Sequence, residues 1–94
     1  LGRMSAEQRI AHAVADLYYR LDRRCEVDGQ TCSMPFPLTQ EMLGELSGLT
    51  PVHTNRVLRK LRTDGVMICE RQRIQILDLG RLVEIGDYRP DYLV

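Results

Sequence analysis

The sequence has no excess of charge of either sign: 13 lysines and arginines stand against 13 aspartates and glutamates. A chain balanced in this way does not bind polyanions indiscriminately, so any affinity for nucleic acid must come from where its cations sit. It also lacks a disulfide framework. Cys25, Cys32 and Cys69 are odd in number, far apart and without a C-x-x-C pair, which argues against a zinc site as well and points to a reducing cytoplasm. No apolar run approaches the length of a membrane span and no signal-peptide pattern is visible, so no membrane partner is expected. There is no histidine and carboxylate at site spacing, no glycine-rich phosphate loop and no cluster of metal ligands, and an enzyme is therefore not expected. Internal repeats and low-complexity segments are absent too. What remains is 94 residues, enough for one small domain with a modest core.

The most informative stretch is TQEMLGELSGLTPVHTNRVLRKLRTDG, residues 39–65. The Thr39 hydroxyl can cap a first helix, with Glu41 near its positive end, and Met42, Leu43 and Leu46 follow at helical spacing as its apolar face. Ser47-Gly48 ends that helix, because glycine turns the chain through positive φ without a steric cost. Thr50 caps a second helix over residues 50–63, and Pro51 fits its first position, where a missing N–H does no harm. Thr54, Val57, Leu58 and Leu61 recur at three and four, while His53, Arg56, Arg59, Lys60 and Arg62 fall largely on other faces. Asp64-Gly65 closes it. Two helices with a short turn, the second of them basic, form a helix-turn-helix pattern, and Gly44 suits a close crossing of the pair.

Upstream, Ser5-x-x-Gln8 has capping-box spacing, and Ile10, Val14, Leu17 and Leu21, with Ala11 and Ala13 nearby, predict a core-packing helix ending near Arg24 or Cys25. His12 lies off that stripe and is expected to be exposed; Tyr18 and Tyr19 are expected to be partly buried. Residues 26–37 read as an irregular loop, with a short extended piece through Phe36 and Leu38. Downstream, Val66 to Cys69 and Ile74 to Leu77 flank Glu70-Arg71-Gln72-Arg73 as a small hairpin, a wing with Arg71 and Arg73 at its tip. Asp78 caps a last short helix through Leu79, Leu82, Val83 and Ile85, closed by Gly86, and Tyr88, Tyr92 and Leu93 are placed to fold back on the body. The fold class is thus mainly α with a small β-hairpin, a winged helix-turn-helix. Between His53 and Arg73 the cations outnumber the acids by about four, so positive charge forms a patch. On this reading Arg59, Lys60, Arg71 and Arg73 meet phosphates.

The segment PLTQEMLGELSGLTPVHTNRVLRKLRTDGVM resembles the C-terminal winged-helix domain of the Crp/Fnr superfamily of bacterial transcription regulators. The likeness rests on Leu38-Thr39-Gln40, on Leu46-x-Gly48-Leu49-Thr50 and on Asn55-Arg56-x-Leu58-x-x-Leu61. It extends to GRMSAEQRIAH at one end and to Asp87-Tyr88-Arg89-Pro90-Asp91-Tyr92-Leu93 at the other.

The resemblance implies a DNA-binding module of a longer homodimeric regulator that binds a two-fold symmetric operator and touches RNA polymerase. An N-terminal domain would sense a small effector such as a cyclic nucleotide, and no cofactor is implied for this segment. By position, Thr39 and Gln40 would hold backbone phosphate, Thr50 and His53 would flank the groove, and Arg56 would reach a base edge. Many members carry an Arg-Glu pair after the second cap, where this chain has Pro51-Val52. Those two side chains offer only apolar contact, for instance to a thymine methyl, so an altered operator is expected. The rival reading is a winged helix whose basic face meets an acidic protein.

Overall fold

The computed structural model describes residues 4–20, 32–35, 39–70 and 72–89. The chain runs α1 (Ala6–Arg20), β1 (Cys32–Pro35), α2 (Gln40–Leu46), α3 (Pro51–Thr63), β2 (Met67–Glu70), β3 (Arg73–Ile76) and α4 (Leu79–Gly86). The Ser5 hydroxyl starts α1 by accepting from Gln8 N at 3.0 Å. Ile10, Ala11, Val14, Ala15 and Tyr18 then line its buried face. Leu21 and the far end of the expected helix lie outside the described residues, as do Phe36, Leu38, Tyr92 and Leu93.

The hairpin forms as expected, with Glu70 paired to Arg73 across a two-residue turn in which Gln72 takes φ 60. Positive φ at that position is what a tight hairpin demands, and it explains how the turn closes without Asn-Gly. A third strand, Cys32–Pro35, forms where the sequence predicts an irregular loop, whereas the extended piece expected through Phe36 and Leu38 lies outside the described residues. β1 pairs antiparallel with β3, giving the order β1-β3-β2. Ile74 and Ile76 point into the core from the central strand while Arg73 and Gln75 point out, the alternation a half-buried sheet requires.

Two expectations about side chains are corrected. On α2 only Leu43 and Gly44 are buried, joined by Ser47 just beyond, whereas Met42 and Leu46 are 46% and 68% exposed. The reason is angular: Gly44 faces α3, and the residues sharing its side are 43 and 47, so 42 and 46 fall on the outer side. The Met42 sulfur instead accepts from Thr39 N at 3.5 Å. The second correction is His12, which is half-buried. Its Nδ1 stands 3.0 Å from the Gly86 carbonyl and, since a carbonyl only accepts, Nδ1 must carry the proton.

Gly86 does not close α4 as a left-handed residue. The helix runs through it, and Asp87 takes the αL position at φ 47. What Gly86 provides is proximity, since α4 lies directly on α1 there. Tyr88 follows, 8% exposed, and folds back as expected. Its ring stacks on Tyr19 and meets the edge of His12, and its hydroxyl donates to Asp16 Oδ1 at 2.9 Å.

Burial raises the cost of ionising Asp16, but hydrogen bonds from Arg20 and Tyr88 outweigh it and hold the carboxyl below its ordinary value. A depressed carboxylate stabilises the fold above its unfolded pKa and loses that contribution as pH falls through the folded one. Tyr88→Phe is therefore expected to cost about 1 kcal/mol at neutral pH. The deficit should shrink in urea titrations as pH falls below the ordinary aspartate range.

Candidate nucleic-acid interface

The helix-turn-helix is built from local rules. The Thr39 hydroxyl caps α2 by accepting from Met42 N at 3.1 Å, and the Thr50 hydroxyl caps α3 by accepting from His53 N at 3.2 Å. Gly48 sits between them at φ 71. The two helices cross at Gly44, where an added Cβ would collide with the Thr54 hydroxyl and stand 3.2 Å from Thr54 Cβ. That hydroxyl is itself bonded to the Thr50 carbonyl at 2.8 Å, so it has no freedom to swing aside.

Thr54, Val57, Leu58 and Leu61 are the buried residues of α3, as their spacing predicts. Opposite them lies an open stripe of Val52, Asn55, Arg56 and Arg59, which line one shallow surface groove. Arg56 and Arg59 are exposed and, among the described residues, neither makes an ion pair or hydrogen bond. Val52, 67% exposed, shares the stripe. Asn55 was not among the expected site residues, although its place three residues after Val52 and four before Arg59 puts it on the same face.

The other expected cations are placed differently. Lys60 lies on the flank of α3 that faces α1, with its ammonium 3.4 Å from Glu7 and 3.2 Å from Asp64. The Asp64 hydrogen bond, with the charge of both acids, raises its pKa above the ordinary lysine value. The structure does not bring Lys60 to the stripe. Arg62 lies on the opposite flank and pairs with Glu70 on β2 at 2.9 Å. Arg73 is exposed on the wing and donates to Ser33 Oγ on β1 at 3.0 Å, whereas Arg71 lies outside the described residues.

Thr39, Gln40, Thr50, Pro51 and His53 are all exposed at the helix starts. Gln40, Glu41, Pro51, Thr54 and Asn55 line a groove of about 190 Å³ there. Gln40 also reaches the wing, donating from Nε2 to the Cys69 carbonyl at 2.7 Å. The Cys69 thiol is pushed up in pKa by burial and by the neighbouring Glu70 charge, so it is not a ready nucleophile. Among the described residues no group of acids, histidines and cysteines is placed to hold a metal ion, and no helix is long and apolar enough to cross a membrane.

An exposed helix with free arginines, capped at its start and followed by a wing, is matched by the family model described as a Crp-like helix-turn-helix domain, over residues 8–85. The chain belongs to that family. It is a helix-turn-helix domain of the Crp/Fnr regulator type, in which sequence-specific DNA binding, and not an enzymatic reaction, is the function. The transcriptional activator protein FnrL of Cereibacter sphaeroides is 33% identical over 87 residues, covering 89% of this chain and 35% of that protein. A cysteine-to-serine variant of CprK complexed with OCPA superposes at a TM-score of 0.75 with 25% identity, covering 88% of this chain and 38% of that one. Unbound oxidised CprK gives 0.72 with 26% identity, covering 84% and 37%. This Crp-like chain thus spans little more than a third of the length of these relatives.

Proposed function

We propose that this Crp-like domain lays α3 lengthwise in the major groove of a two-fold symmetric operator, as one half of a homodimer with half-sites roughly 34 Å apart. The observation that carries the reading is the stripe of Val52, Asn55, Arg56 and Arg59, whose two guanidinium groups are exposed and uncommitted. Arg56 pairs with a guanine, and Val52 and Pro51 offer apolar contact to the neighbouring bases. Arg59 and the wing residues Arg71 and Arg73 bind phosphates, and Thr39, Gln40, Thr50 and His53 line the strands beside the groove. Lys60 contributes through the general field, because its ammonium already has two carboxylate neighbours.

The residues 1–94 form a single DNA-binding domain of a longer cytoplasmic regulator. Its effector, a small molecule such as a cyclic nucleotide, binds in a separate N-terminal domain, and the operator-bound dimer touches RNA polymerase. Selection of bound sites from random duplexes with the intact regulator tests this reading, since it reports sequence, symmetry and spacing together. Recovery of paired half-sites one helical turn apart supports it; recovery of unordered sequence overturns it. Arg71→Gln is expected to weaken all duplexes alike and to lower the slope of log affinity against log salt by about 0.9. Unchanged affinity and slope would remove the wing from the interface.

A further inference from the structure

The Gln40 side chain, expected at a backbone phosphate, is already engaged within the protein. Its Nε2 donates to the Cys69 carbonyl at 2.7 Å across 29 positions of sequence, in a part-buried setting. Among the described residues β2 is an outer strand, paired with β3 on one side. An outer strand leaves one row of peptide groups without a ladder partner, and each of those must be satisfied from elsewhere. Gln40 supplies that partner for Cys69.

The two ends of this bond differ in rigidity. Gln40 opens a helix capped by Thr39 and locked onto α3 at Gly44. Beyond Cys69, by contrast, the wing is exposed at Glu70, Gln72, Arg73 and Gln75. Arg62 of α3 also reaches β2, at Glu70, but with side chains 60% and 51% exposed, and an ion pair so open to solvent holds weakly. Gln40, Asn55, Leu58, Arg59, Arg62 and Cys69 line a single groove of about 180 Å³, so the bond sits where the recognition stripe meets the wing.

We propose that Gln40 is a positioning residue: by holding the Cys69 carbonyl it sets the angle of the wing against α3 and so places the wing cation Arg73 on the DNA backbone. The proposal rests on the DNA-binding reading above. It differs from a direct phosphate contact in a measurable way. A neutral amide touching a phosphate releases no counterion, so its loss lowers affinity without changing the salt slope, whereas a displaced wing takes its cations' counterions with it.

The test uses the full 94-residue chain and mixed-sequence duplex titrated at several salt concentrations. Four proteins are compared: the parent, Gln40→Leu, the double variant Arg71→Gln with Arg73→Gln, and all three changes together. Gln40→Leu is expected to weaken binding about fivefold, the net worth of roughly one hydrogen bond. It should also lower the slope by about half a unit or more although no charge has been altered. In the wing-neutralised background the same change should cost less than about twofold, the non-additivity expected of coupled residues. Backbone amide exchange without DNA should speed up in β2 and β3 and stay unchanged in α1 and α4, for Gln40→Leu and for Gln40→Glu, whose ionised carboxylate cannot donate. Equal losses in both backgrounds with an unchanged slope would overturn the proposal, and so would unaltered exchange in the wing. If the parent itself shows no steep salt dependence, the DNA-binding reading fails by that result, and the exchange data alone decide whether Gln40 holds the wing.

Discussion

Gly86→Ala is expected to destabilise the domain by about 2–3 kcal/mol, lowering Tm by about 10–20 °C for a domain of this size. A Cβ at this position would stand 2.6 Å from His12 N, 2.8 Å from His12 Cα and 2.9 Å from the Ala11 carbonyl carbon. All three are main-chain atoms inside α1, so no rotamer change relieves the contact and the two helices must move apart. That movement disturbs Leu82 on one side and Ile10, Ala11 and Val14 on the other, all of which are fully buried. It also pulls the Gly86 carbonyl away from His12 Nδ1. Helix propensity favours alanine over glycine by about 1 kcal/mol, so the steric cost has to exceed that gain for the variant to lose stability at all. Set against total stabilities of about 5–15 kcal/mol, a net loss of this size shows plainly in thermal and urea unfolding followed by circular dichroism. A variant melting within about 2 °C of the parent would mean that α1 and α4 are not in backbone contact.

The second large effect is on DNA. Arg56→Ala is expected to reduce discrimination between the selected operator and its variant at one base pair by about 1–3 kcal/mol, or roughly 5- to 160-fold. Competition titrations with the two duplexes read this directly. Stability should change by less than about 0.5 kcal/mol, since Arg56 is exposed and makes no hydrogen bond or ion pair among the described residues. Arg59→Ala provides the contrast, weakening all duplexes alike and reducing the salt slope by about 0.9. If Arg56→Ala also weakens all sequences equally, Arg56 is a phosphate contact and specificity lies elsewhere on the stripe, with Asn55 the next residue to replace.

The features legible in the sequence are those set by near neighbours in the chain. The caps at Thr39, Thr50 and Asp78 each act on a backbone N–H three residues on, and the structure shows all three. The buried face of α3 follows from spacing alone, and the turn at Gly48 from the φ that only glycine takes freely. The close approach at Gly44 was also legible, because two helices joined by so short a turn must cross near that residue.

What was hidden depends on pairs distant in sequence. Basic residues of α3 look equivalent on a helical wheel, yet Lys60 is drawn to Glu7 and Arg62 to Glu70, while Arg56 and Arg59 stay open. The charge pattern marked a patch without dividing it into committed and uncommitted cations. His12 and Gly86 are separated by 74 positions, so neither the half-burial of the histidine nor the contact role of the glycine had a local signal. Residues 32–35 read as irregular loop, and neither their strand nor its pairing with β3 had a local signal, because nothing in Cys32–Pro35 itself names Ile76 and Arg73 as partners. On α2, a helix of only seven residues, the choice between a face through Met42 and Leu46 and one through Leu43 and Ser47 was settled by where α3 lies.

The most direct test of the account is the salt dependence with which the unaltered chain binds a mixed-sequence duplex. Arg59, Arg71 and Arg73 on phosphates, at about 0.9 each, predict that log affinity falls against log salt with a slope of about −3. A slope shallower than about −1, or no binding at low salt, would contradict a basic helix and wing seated on duplex DNA.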